Sequence, residues 1–189
     1  MQKCPEDGSE AGFTLIELLV YCVLIVLVVT AVGGIMNSVQ STSNSVRSVT
    51  SDATEGQLVA DSITAGVRNS SDFRLTSPSG TDQLLVARVA ESGTSLTWAC
   101  AAWYYSESGT GSIRFTRSTA AIVAPNASGL LAWTLLDDGI IPASGTSIFS
   151  ATGALLNVAF QGTTTGRPSV LIKSSALSRA GASGSLTCF

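Results

Sequence analysis

Glu17 lies in the segment Gly12-Phe13-Thr14-Leu15-Ile16-Glu17-Leu18-Leu19-Val20, and its carboxylate is the one charge in an apolar run that continues to Ile35. An acid inside a membrane span costs a few kcal/mol even on the gentler insertion scales, so it needs a positive partner or a route to the interface. The run contains no lysine or arginine. Cleavage after Gly12 would create the missing cation, because Phe13 would then carry a free α-amine with a pKa near about 8, mostly protonated at neutral pH. Glycine suits such a cut, since without a Cβ it lets a protease approach the backbone closely. Phe13 and Glu17 lie four residues apart, on one helical face, so the pair can close within one subunit or between two.

No other cluster in the chain reads as chemistry. Histidine is absent from all 189 residues, which removes the commonest general base and a common metal ligand. The charged residues are too scattered to nominate a catalytic carboxylate pair, so the chain reads as no enzyme and no cofactor or metal is expected. Asp137-Asp138-Gly139 reads as a turn rather than a calcium loop, which would need six or more oxygens from spaced acidic residues. Gly109-Thr110-Gly111-Ser112 lacks the lysine and following helix of a phosphate loop and reads as a hairpin turn. Asn69-Ser70-Ser71 and Asn126-Ala127-Ser128 fit the glycosylation acceptor pattern, which arises readily by chance in a serine-rich chain. Trp98, Trp103, Tyr104, Tyr105 and Trp133 are expected to fill the core between sheet and helix rather than to form a stacking surface for a ligand.

Residues Gly12 to about Ile35 closely resemble the type IV prepilin motif; beyond them only the overall layout is similar. The resemblance implies that a prepilin peptidase cuts after Gly12 and N-methylates Phe13, and that Glu17 pairs with the amine of a neighbouring subunit during assembly. The implied partners are other pilin subunits in a helical filament, the prepilin peptidase, an inner-membrane assembly platform and the membrane itself. The head size and the Leu58 to Arg68 segment look most like a minor pilin or a J-type pseudopilin of type II secretion. The leader carries Lys3 against Glu6, Asp7 and Glu10, whereas prepilin leaders are usually basic. A cytoplasmic leader and an extracytoplasmic C-terminal domain therefore follow from resemblance more than from charge. An ordinary signal anchor would leave the small residue, the glutamate and the apolar run as coincidence. A secretory signal peptide would place its cleavage site after the apolar core, whereas Gly12 precedes it. A pilus-tip adhesin and a membrane-anchored exported enzyme are the alternatives from other functional classes.

The elements that must position these groups follow from the rest of the sequence. Four segments are expected: a leader at 1–12, a transmembrane and filament-core helix at 13–35, its continuation at 36–68, and a head at 69–189. As a helix, 13–35 is about 34 Å long, enough to cross a hydrocarbon core of roughly 30 Å. Val46, Val49, Ala53, Ala60, Ile63 and Val67 continue a helical stripe, with the part near Leu58 to Val67 expected against the chain's own sheet. Gly33-Gly34 and Gly56 are expected flexible points. Strand-like runs follow at Leu84–Val89, Ser95–Tyr105, Ser112–Arg117, Leu130–Leu136, Leu155–Gln161 and Ser169–Lys173, bounded by Gly, Ser, Asn or Pro. The middle pair is expected to form a hairpin across Glu107–Gly111, and the last pair one through Gly162–Pro168. The fold class is thus α+β: a long N-terminal helix packed on an antiparallel sheet, a pilin-like layout.

Net charge is −3, and losing the leader leaves nine basic against ten acidic residues, so no electrostatic footprint for nucleic acid exists. Of four cysteines, Cys4 would leave with the leader and Cys22 would lie in lipid as a small apolar thiol. Cys100 and Cys188 would both face an oxidising exterior, where a disulfide between them is the economical expectation. It would tie down a C-terminal tail, from Ser174 onward, that otherwise frays.

Overall fold

The computed structural model describes residues 12, 14–91, 97–145, 147–163, 169–178 and 188–189. Most of the leader, Phe13, the start of the Ser95–Tyr105 run and most of the Gly162–Pro168 connection lie outside the described residues. The chain divides into two compact units, Met1–Val46 and Arg47–Phe189.

The first unit contains the N-terminal part of α1 (Leu15–Arg68). No described residue from 15 to 46 is buried. By length and composition this is a helix able to cross a membrane. Within the apolar run the Thr30 hydroxyl donates to Val26 O and Leu27 O, both at 2.9 Å. The helix therefore satisfies that polar group internally, as hydrocarbon surroundings demand.

In the second unit the remainder of α1 buries Gly56, Val59, Ala60, Ile63, Thr64 and Val67, a stripe at three- and four-residue intervals. The stretch expected against the sheet is packed there, while Leu58 at its start points outward and is 65 % exposed. Gly56 is no flexible point: α1 continues through it, and an added Cβ would overlap Ile172 Cδ1. Gly66 lies equally close to the Trp103 ring, with Cζ2 at 2.7 Å from an added Cβ. These two glycines let the helix backbone approach the sheets, a packing role that sequence punctuation does not distinguish from a hinge.

The single sheet expected from sequence is two. The first is an antiparallel meander in spatial order β1 (Ser70–Thr76), β2 (Gln83–Glu91), β3 (Thr97–Ser106), β4 (Ser112–Ser118) and β5 (Thr134–Asp138). The second is built on β8 (Leu155–Gly162), which pairs with β6 (Ile140–Pro142), β7 (Phe149–Thr152) and β9 (Val170–Leu177). Both expected hairpins, β3 with β4 and β8 with β9, are present. β1 lies outside the expected strand runs, and its Phe73-Arg74-Leu75 alternation packs two apolar side chains against the core. Within Leu130–Leu136 the strand begins only at Thr134, because Asn126 Oδ1 accepts from Gly129 N at 2.7 Å and caps α2 (Ala127–Leu130). β9 outlasts its expected end at Lys173: Ser174, Ser175 and Ala176 stay in register with β8, and Ala176 is buried. Pairing overrides their weak strand propensity.

Gln83 of β2 links the two sheets. Its buried amide accepts from Ile148 N at 2.7 Å and Phe149 N at 2.9 Å, and donates to Phe149 O at 3.0 Å. One side chain thus satisfies three backbone groups that would otherwise be buried without partners.

Candidate functional site

The N-terminal motif opens α1. Thr14 O accepts from Glu17 N at 3.0 Å and Leu18 N at 3.2 Å, which starts the helix just before the acid. Glu17 is therefore an exposed first-turn carboxylate. Gly12 is exposed, and an added Cβ would meet nothing within 4 Å. Phe13, between them, lies outside the described residues. The side chains that follow Glu17 are apolar on every face, with Leu18, Leu19, Val20, Val23 and Leu24 among the exposed ones. A continuous apolar surface of this kind needs lipid or other helices to cover it. The next cation after Lys3 in the sequence is Arg47, roughly 45 Å of helix beyond Glu17.

The head's two cores explain why β3 is apolar on both faces. Ala99, Ala101, Trp103 and Tyr105 join the α1 stripe in the larger core, where Trp103 Nε1 donates to Ser62 Oγ at 3.1 Å. Cys100, Ala102 and Tyr104 lie on the opposite face with Leu84, Val86, Ile122 and Cys188, and Leu130 and Trp133 pack against them. The aromatic expectation is corrected accordingly. Only Trp103 and Tyr105 lie toward the helix, Tyr104 stacks edge-on to Trp133 at 6.2 Å on the other face, and Trp98 lies under the Arg88 guanidinium at 4.6 Å. Ile122, Leu130 and Trp133 of the β4–β5 connection, with Cys188, cover that second face, a layer the strand pattern announced without saying what supplied it.

Cys100 and Cys188 are joined by a disulfide with their Cα atoms 5.4 Å apart, and both residues are buried. Beside the bond, Ile122 N donates to Cys188 O at 3.1 Å, while Arg74 sits 4.5 Å from the Phe189 ring centroid. The bond therefore fastens Cys188 to the central strand, and the Cys188 carbonyl in turn holds Ile122 of the β4–β5 connection. Cys22 is a free, exposed thiol.

The remaining motifs have structural places. Gly109 and Gly111 take positive φ in the β3–β4 turn, and Gly111 O accepts from Ile140 N at 3.2 Å. Asp137 and Asp138 end β5 rather than forming the turn, which falls on Gly139 at φ 70°. Burial first, then the charges of Glu55, Asp138 and Asp52, push the Asp137 carboxyl up to about 6, against the hydrogen bond from Asp138 N. Among the described residues, no group of three or more acidic, histidine or cysteine side chains has the geometry to hold a metal ion. Comparison with protein-family models, with curated proteins and with solved structures finds no match for this chain.

Proposed function

We propose that the chain is a structural subunit, a minor pilin or pseudopilin, of a type IV pilus or type II secretion-like filament. A prepilin peptidase cuts after Gly12, the new Phe13 amine is methylated, and Glu17 selects the amine of a neighbouring subunit. The apolar part of α1 holds the subunit in the membrane before assembly and forms the filament core afterwards, while the head decorates, caps or initiates the polymer. The observation that carries this reading is the first-turn carboxylate on a wholly exposed apolar helix whose sequence offers no cation between Lys3 and Arg47. Cleavage supplies the cation, and extraction from lipid becomes tolerable once each acid meets an amine and each apolar face meets another helix.

Intact mass and N-terminal sequencing of protein recovered from cells test the reading. The mature chain is expected to begin with N-methylated Phe13, and an N-terminus that retains Lys3 refutes it. Abundance in sheared filaments then separates a major subunit from a minor one.

A further inference from the structure

A cleft of about 540 Å³ opens on the sheet face opposite α1, at the end of β3 and β4, a size within the usual range for small-molecule sites. Arg114 and Tyr104 form part of its floor, and they are cross-strand neighbours. Arg114 is only partly exposed, and its Nη1 donates to Trp133 O at 3.1 Å, which fixes the side chain with one of its five N–H donors. Among the described residues no carboxylate forms an ion pair with the Arg114 guanidinium, whereas Arg117 on the same strand is paired with Glu91. Asp82, at the rim, is engaged on both oxygens, accepting from Tyr104 Oη at 2.8 Å and from Glu107 N at 2.9 Å. Burial and then Asp82 push the Tyr104 phenol up to about 12, so it stays a donor held by Asp82. The wall opposite is apolar, with Pro125, Leu130 and Leu131, and Leu131 is 71 % exposed. Four serines, Ser79, Ser106, Ser108 and Ser112, and Asn126 add polar groups to the lining.

We infer that this cleft binds an acidic sugar, a hexuronate-type pyranose. Its carboxylate sits on the Arg114 guanidinium, its ring hydroxyls exchange hydrogen bonds with the serines, and its C–H face lies on Leu130 and Leu131. A partly buried guanidinium without a carboxylate beside it is the group that best repays a ligand carboxylate, because a charge-assisted bond there is about twice as strong as a neutral one. Asp82 accepts from Tyr104 Oη and Glu107 N and forms no ion pair with Arg114. The cleft belongs wholly to the head, so its ligand is independent of the filament reading.

The test uses the full chain in detergent micelles with methyl glucuronide and methyl glucoside, which differ by the carboxylate alone, and reads binding by saturation-transfer NMR titration. The glucuronide is expected to bind saturably, with the glucoside weaker by about tenfold or more, the loss of one charge-assisted contact. Arg114→Gln should weaken the glucuronide by the same factor and leave the glucoside unchanged. Leu131→Glu, at an exposed position that folding does not need, should repel the glucuronide and decides the matter if Arg114→Gln fails to fold. Lys173→Gln, on the exposed face of β9, should change nothing. Equal binding of both glycosides, insensitivity to Leu131→Glu, or no saturable binding of the glucuronide overturns the assignment.

Discussion

Replacing both bonded cysteines, Cys100→Ala with Cys188→Ala, isolates what the disulfide contributes to the head. The two residues are 88 positions apart, and loop closure of that size removes unfolded-chain entropy worth about 4.6 kcal/mol at 25 °C in the chain-entropy account. Both side chains are buried, at 0 % and 1 % exposure, so trimming each to alanine adds a small cavity cost in the same direction. A domain of this kind has only about 5–15 kcal/mol to lose, so the double variant should sit near the edge of folding. All three tryptophans, Trp98, Trp103 and Trp133, lie in the second unit, so their fluorescence during urea unfolding in detergent reads the head alone. The midpoint should fall and the urea dependence steepen, because the uncrosslinked unfolded chain exposes more surface. Reductant should reproduce both changes in the unsubstituted protein and leave the variant unmoved. A loss under about 1 kcal/mol would refute the loop-closure reasoning. An identical response of both proteins to reductant would show that the bond is absent.

Four further outcomes follow from named contacts. Glu17→Ala should leave cleavage after Gly12 intact and block incorporation into filaments; normal incorporation, read by immunoblot of sheared filaments, refutes the proposed pairing. Gln83→Leu strips partners from three buried backbone groups and should destabilise the head by about 3 kcal/mol or more in the same urea assay, whereas a change under about 1 kcal/mol shows that the two sheets do not depend on it. Gly66→Ala should cost about 1–3 kcal/mol because its methyl meets the Trp103 ring, while Gly33→Ala, with nothing within 4 Å, should leave the head's urea midpoint unchanged. Asp137 has a folded pKa raised from 3.8 to about 6, so the folded head binds its proton more tightly and stability falls as pH rises through that window. Asp137→Asn should therefore stabilise the head above about pH 6, by about 1 kcal/mol once its partial exposure is allowed for, and give no gain below about pH 4. Equal shifts in thermal midpoint at both ends would count against this account.

Chemistry that depends on spacing along one element is legible in the residues alone. The Glu17 offset, the length of the apolar run and the alternation of β3 are local patterns, with periods of 3.6 and 2 that an isolated segment already carries. Gly56 and Gly66 show the limit of that reading: a glycine looks like a break in sequence, and only the Ile172 and Trp103 side chains arriving from distant strands turn it into a close approach. β9 shows the same limit from the other side, since its serines and alanine become strand only because β8 offers them a ladder. Asp82, Tyr104 and Arg114 come from three different strands or turns, and no spacing rule links them.

By itself, then, the sequence determined the apolar helix with its one acid and the two-faced central strand, because burial pattern and charge are properties of neighbouring residues. The tertiary structure decided the rest. It split the strands into two sheets bridged by Gln83, covered the second face of β3 with the β4–β5 connection and Cys188, and opened a cleft around Arg114. Those outcomes depend on which distant surfaces meet, and long-range pairing is set by the packing of the whole head rather than by any local preference.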